Sequence, residues 1–288
     1  MTTEYAENDE YALPAYSDGV IGYEIDGKLY KAGDVMEVTE NTTIQEVWFN
    51  FVMEDGAAVR LSSAGEYYGG LRFTITADSA MVEKYGFKVF GMIVPTAEIS
   101  GEFDGVGETP AVEELEVNKT EGGLNVYRVT LTNVLYTNYN RAFSARAYVE
   151  VVYETGVEKV YTTYSAENNS RSVYQVACMA TADDAVTKDE KDVLANYLSY
   201  TVNLVLVDGV YSVATTQDNL PSIGERKYTV ENNVLTLSDI PQNLAAVLAA
   251  DRPYVPVTVW SADGTTCERM LVRIELSGTT ATATLVVE

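Results

Sequence analysis

The sequence predicts a mainly β protein built from tandem β-sandwich-like modules with a few short helices. Three observations predict it. Apolar and polar side chains alternate with period two through the apolar stretches, as where Ala147, Val149, Val151 and Tyr153 alternate with Tyr148, Glu150 and Val152. Turn pairs such as Asp26-Gly27, Asp208-Gly209, Asn232-Asn233 and Asp263-Gly264 punctuate the chain between these runs. At 288 residues the chain also exceeds what one sandwich of roughly 100 residues uses, so several compact units joined by short linkers are expected.

Taken in order, residues 1 to 18 mix acid, Tyr, Ala and Pro14 without a period and read as an arm or linker. Residues 19 to 48 read as a small β-meander of four short strands, Tyr23 to Ile25, Leu29-Tyr30, Val35 to Val38 and Thr43 to Trp48. Residues 49 to 201 read as a β-sandwich-like domain with two to three helices. Its expected strands are Ala58 to Leu61, Leu71 to Ile75, Phe87 to Val94, an edge strand at Glu113 to Val117, and Asn125 to Val134. Asp78 is placed to cap a helix over Ser79 to Tyr85, which Gly86 stops.

The most legible stretch is Ser144 to Ala180. It predicts a hairpin turning at Thr155-Gly156 and returning through Val160, Thr162 and Tyr164, then a cap at Asn168 to Ser170 and a helix over Arg171 to Ala180. A capping box, Thr187-x-x-Glu190, opens another helix with Val193, Leu194, Tyr197 and Leu198 on one face. Residues 202 to 288 read as an Ig-like β module. Strands are expected at Val205 to Val207, Val210 to Ala214, Tyr228 to Val230, Val234 to Leu237, Val255 to Trp260, Glu268 to Leu276 and Thr280 to Val287. A helix is expected from Ser238 or Asp239 to Leu248, with Pro241 in its first turn.

Two stretches resemble known families. The pattern DGKLYKAGDVMEVTENTTIQEVW, with its Tyr30-x-x-Gly33-Asp34 turn and Thr42-Thr43…Trp48 ending, is similar to the Listeria–Bacteroides type repeat, also called the internalin B-repeat. The segments AVRLSS, GLRFTIT, FGMIVP, LTNVLYTNYNRAFSARAYV and YSAENNSRSVYQVA resemble an uncharacterised domain of secreted gut Clostridia surface proteins. Both resemblances imply an extracellular or cell-surface location, with signal and anchor lying outside this sequence; neither supplies a ligand or a catalytic residue.

Charge and composition narrow the chemistry. With 43 acidic and 19 basic residues the formal net charge is −24, which disfavours nucleic acid and anionic lipid surfaces as partners. No apolar run approaches the roughly 20 residues that span a bilayer, so no membrane insertion is expected. The chain has no histidine, so the commonest general base and zinc ligand are missing and no enzyme activity is expected. Paired acids such as Glu113-Glu114, Asp183-Asp184 and Asp189-Glu190 fit a carboxylate-dependent glycoside hydrolase, but 43 acids produce such pairs by chance. No cofactor is expected: Asp183-Asp184 and the Asp104 to Glu108 loop offer oxygens for calcium without an EF-hand pattern. The two cysteines, Cys178 and Cys267, read as buried or idle thiols.

Tyrosine outnumbers phenylalanine 21 to 7, and a ring with a polar tip suits both sheet packing and stacking on sugars. Two clusters are candidate ligand sites: Tyr136, Asn138, Tyr139 and Arg141 in the loop before the hairpin, and Tyr67 and Tyr68 at the glycine-rich tip before Leu71. Five arginines, Arg60, Arg72, Arg141, Arg146 and Arg171, stand out in so acidic a chain. They either clamp an acidic ligand or, as the commoner arrangement, pair with Asp and Glu across strands. The expected function is binding or adhesion at a bacterial surface, to a glycan or a host or cell-wall ligand; the alternative is a structural spacer.

Overall fold

The computed structural model describes residues 10–37, 42–61, 68–95, 111–135, 139, 141–163, 165–214, 226–240, 242, 245, 249 and 254–286. The fold is mainly β, in several separate sheets. The first are small. Strands β1 (Glu10–Ala12), β2 (Val20–Ile25), β3 (Lys28–Tyr30), β4 (Val35–Glu37) and β5 (Gln45–Trp48) form a sheet of order β3-β2-β5 and a separate pair β1-β4. The expected four-strand meander is therefore split. Gly33, at φ +83, turns the chain out of the sheet, and Met36 and Tyr11 pack over Leu13, Tyr23 and Ile25. Part of the expected arm thus folds in, with Leu13 buried.

The central unit is a sandwich of two five-stranded sheets. One has the order β11-β12-β8-β6, with β7 also on β8, where β6 is Phe51–Met53, β7 Ala58–Leu61, β8 Tyr68–Asp78, β11 Lys119–Glu121 and β12 Leu124–Leu135. The other has the order β10-β9-β13-β14, with β15 also on β13, where β9 is Lys88–Pro95, β10 Ala111–Glu114, β13 Ala142–Tyr153, β14 Gly156–Tyr161 and β15 Ser170–Ser172. Alternation decides the facing. Leu71, Phe73, Ile75 and Ala77 of β8 and Ala147, Val149 and Val151 of β13 are fully buried, whereas the residues between those of β8 are partly exposed. The sheets approach closely at Gly91 of β9, where a Cβ would lie 2.8 Å from Val129 Cβ of β12.

Local signals set the ends of the helices. Helix α1 (Ser79–Tyr85) is capped as expected: Asp78 accepts a hydrogen bond from Met81 N at 2.9 Å, and Gly86 closes it at φ 65. The hairpin turns at Glu154-Thr155, one residue earlier than expected, because Tyr153 pairs directly with Gly156. The helix after it also starts later. Asn168 lies in a short helix α2 (Ala166–Asn169), and Ser170–Ser172 pairs with Ala142–Ser144. The cap of α3 (Val173–Ala182) is Ser172, which exchanges reciprocal bonds with Gln175. The box at Thr187 and Glu190 opens α4 (Lys188–Leu198) as expected, burying Leu194 and Leu198; the side chains of Val193 and Tyr197 lie outside those described.

The C-terminal strands make two four-stranded sheets. One has the order β17-β16-β20-β21, from β16 (Val202–Val207), β17 (Val210–Val213), β20 (Tyr254–Trp260) and β21 (Cys267–Arg273); here β16 and β20 run parallel. The other has the order β18-β19-β23-β22, from β18 (Tyr228–Glu231), β19 (Val234–Leu237), β22 (Glu275–Ser277) and β23 (Thr280–Thr284). The single strand expected over Glu268 to Leu276 is two strands, because the chain changes sheets at buried Ile274. Of the helix expected after Ser238, the described positions 242, 245 and 249 are helical. Cys178 is buried and its thiol is pushed up to about 12 by that burial, and Cys267 is exposed; both are free.

At the expected module boundaries Phe49, Thr201 and Val202 are buried, whereas Asp18, Gly19 and Trp48 are exposed. One contiguous cluster runs from Ile21 and Phe49 through Phe73, Val149 and Val173 to Leu204, Leu235 and Leu285. Tyrosine serves this arrangement by spanning between elements. The hydroxyls of Tyr153, Tyr200 and Tyr211 donate to the carbonyls of Ile21, Asp239 and Val286, bonds that phenylalanine cannot make.

The first strands are fastened to the sandwich by polar contacts. Lys28 pairs with Glu154 at 2.8 Å, Lys31 with Glu158 at 2.7 Å, and Thr155 donates to Asp34. Glu24 of β2 accepts from both Lys84 and Tyr85 of α1. Those two bonds hold the Glu24 carboxyl below its ordinary value of 4.5. A lowered carboxylate pKa favours the folded state above the unfolded value, and that contribution is lost as pH falls through the folded value. Glu24→Gln is therefore expected to lower the melting temperature at neutral pH and to narrow its gap to the parent protein below pH 4.5, as read from melting profiles against pH.

Candidate functional site

The described members Tyr68 of one cluster and Tyr139 of the other meet at one end of the first five-stranded sheet. Tyr68 pairs with Leu135 and Gly69 with Val134, so the tip before Leu71 adjoins the loop before the hairpin. Tyr139 does not present its ring to solvent. It is 1% exposed, its carbonyl accepts from Tyr174 N at 3.0 Å, and a Cβ on Gly69 would sit 2.7 Å from its hydroxyl oxygen. Glycine at 69 is thus the room that Tyr139 fills. Arg141 is half-buried, with its guanidinium 5.8 Å from the Phe143 ring centre. Tyr136, Asn138 and Tyr67 lie outside the described residues, and Tyr68 is described by its backbone alone.

Six of the ten arginines, those from Arg60 to Arg171, divide into two groups. Three make local contacts: Arg141 as above, Arg146 by donating to the Thr162 carbonyl at 2.9 Å over the Tyr161 ring, and Arg171 by donating to the Ser170 carbonyl at 2.8 Å and to that of Glu167. The second group lies on the outer face of the first sheet. Arg60 of β7 stands opposite Gly70, Arg72 of β8 stands between Ala58 and Thr130, and Arg128 of β12 stands opposite Thr74. Every cross-strand neighbour is neutral. Among the described residues, no carboxylate lies within ion-pair distance of these three, whereas Lys28, Lys31, Lys84, Lys88, Lys119 and Lys227 each hold one.

For Arg60 and Arg72 the expected cross-strand pairing with acids is not found among the described residues, because the register sets threonine, alanine and glycine beside them. The Arg72 guanidinium is lowered from its ordinary value first by partial burial and then by Arg60 and Arg128. This is a local positive field in a chain of net charge −24. The sequence reading did not single out Arg128. The signal was its alternation with Tyr127 and Val129, both buried, which sends it to the opposite face.

The three residues form a diagonal. Each step runs two residues along the strands and one strand across, about 8 Å between Cα positions and about 16 Å end to end. Thr74, Thr76 and Thr130 stand on the same face as hydroxyl donors and acceptors. Acid brackets the row. Glu54 accepts from Thr76 at 3.0 Å on one side, and on the other Arg128 lines an open cavity of about 310 Å³ together with Glu113, Glu114 and Glu116.

For calcium, Asp183 accepts from Ala185 N at 2.8 Å, and the Asp104 to Glu108 loop lies outside the described residues. Among the described residues, no group of three or more His, Cys, Asp or Glu is arranged to hold a metal. Among the described residues, no helix is long and apolar enough to cross a membrane. Compared with known proteins, the chain matches no family model and none of the curated sequences.

Proposed function

We propose that this chain is an extracellular or cell-surface bacterial binding module that holds acidic glycans on the sheet face of Arg60, Arg72 and Arg128. The observation that carries the reading is that, among the described residues, these three guanidiniums cluster without a carboxylate at ion-pair distance while the lysines beside acids are paired. A guanidinium presents a planar fork matched to carboxylate and sulfate, and neighbouring hydroxyls bond sugar oxygens. The likeness of the first strands to surface-protein repeats supports the location.

Arg72 is the centre of the row, so Arg72→Ala is the test. Loss of one charge-assisted contact of about 1.5–3 kcal/mol corresponds to a roughly 10- to 150-fold weaker affinity for an acidic glycan. The melting temperature is expected to hold or rise, since Arg72 is partly desolvated among like charges. Binding to immobilised carboxylated, sulfated and neutral glycans measures it. Equal signals for neutral and acidic glycans, or no effect of the substitution, would remove the proposal.

The second reading is a spacer that holds another domain away from a surface. The fastening of the first strands to the hairpin through Lys28, Lys31 and Asp34 favours it, because it makes the joint stiff. Flat signals across the glycan panel from folded protein would decide for the spacer.

A further inference from the structure

We infer that the row recognises an extended, sparsely charged acidic polysaccharide, engaging three negative groups at once along the diagonal, and not a single acidic sugar or a chain end. The inference rests on the binding reading above and goes further in naming the form of the ligand. Its basis is the placement of Arg60, Arg72 and Arg128 on three adjacent strands, each displaced from the last by two residues and one strand in the same direction.

A site for one carboxylate would converge its donors on a point. These residues are set out in a line instead, with Cα positions about 8 Å apart. Between Arg72 and Arg128 the face carries Thr74 and Thr130, and between Arg60 and Arg72 it carries Ala58 and Gly70, where the Leu131 carbonyl packs against the glycine. Neutral positions between charged ones match a polymer that alternates neutral and acidic sugars.

The surroundings exclude a denser polyanion. Glu54 on one side, and Glu113, Glu114 and Glu116 beyond Arg128, repel negative groups that fall off the row. A nucleic acid duplex carries one charge per about 1.7 Å and would lay phosphates over these carboxylates as well as over the arginines. A charge on every second sugar can meet the arginines and leave the acidic borders uncontacted.

The experiment is calorimetric titration of the full chain with oligosaccharides that alternate a uronate with a neutral sugar, carrying one to five uronates. Neutral oligomers of equal length and a single-stranded DNA oligomer are the comparisons. Affinity is expected to rise by about tenfold or more with the second and third uronate and then to level off. Arg60→Gln and Arg128→Gln, checked for folding by melting, should each remove one step, and DNA should bind more weakly than the three-uronate oligomer. If a single uronate binds as tightly as the longer chains, still dependent on Arg72, the inference falls and the binding reading stands. If neutral oligomers bind equally, or no acidic oligomer binds, both fall. Tighter binding of DNA overturns the choice of polysaccharide.

Discussion

Tyr139→Ala is expected to lower the stability of the fold by about 3–5 kcal/mol, the cost of removing a large buried ring from a packed core. The ring is 1% exposed and fills the space left by Gly69, so truncation leaves a cavity at the end of β8 and β12. The backbone bond from the Tyr174 amide to the residue 139 carbonyl is available to alanine as well, so the loss is that of the ring's packing. Tyr139→Phe keeps the ring and is expected to cost less. Urea denaturation measures both. The affinity of the folded fraction for acidic glycans is expected to stay unchanged, since Arg60, Arg72 and Arg128 are untouched. Lost affinity with an unchanged denaturation midpoint would instead make the loop the ligand site.

Gly91→Val is the second large effect. A Cβ at this position would lie 2.8 Å from Val129 Cβ and 2.9 Å from Leu115 Cδ1. Neither neighbour can retreat cheaply: Val129 is buried in the centre of the opposite sheet, and Leu115 is tied by its amide to the Val89 carbonyl at 2.8 Å. Overpacking of this kind costs about 1–3 kcal/mol or more, and valine adds two methyls beyond the clashing Cβ. A fall in melting temperature is the expected reading; unchanged melting would mean that the two sheets are not packed face to face at β9 and β12.

Local signals were legible in the sequence where one or two residues decide the outcome. Asp78 and Gly86 bounded α1, Thr187 and Glu190 opened α4, and the alternation from Ala147 to Tyr153 gave the buried face of β13. The start of α3 was misplaced although its signal was present: Ser172-x-x-Gln175 is a capping box, but Asn168 to Ser170 offered three competing cap residues. Pairing was less legible because it depends on residues far apart in the chain. Nothing near Val35 reveals that β4 leaves its neighbours for Glu10–Ala12, nor that β16 takes β20 as a parallel partner.

The candidate site follows the same division. That arginines in an acidic chain matter could be read directly, but which of them lack acids depends on register. Arg72 faces Thr130 and Ala58 only because β7, β8 and β12 align as they do, and Arg128 joins the row through that same alignment. Tyr139, the most conspicuous residue of its cluster, turned out to be core, because its loop folds back over Gly69.

The most direct measurement is nuclear magnetic resonance of the arginine Nε–Hε groups during titration with a three-uronate oligosaccharide. The Nε–Hε signals of Arg60, Arg72 and Arg128 are expected to shift together and saturate at one stoichiometry, while those of Arg146 and Arg171, engaged with backbone carbonyls, stay in place. Shifts confined to Arg141, or spread evenly over all the arginines, would contradict the account.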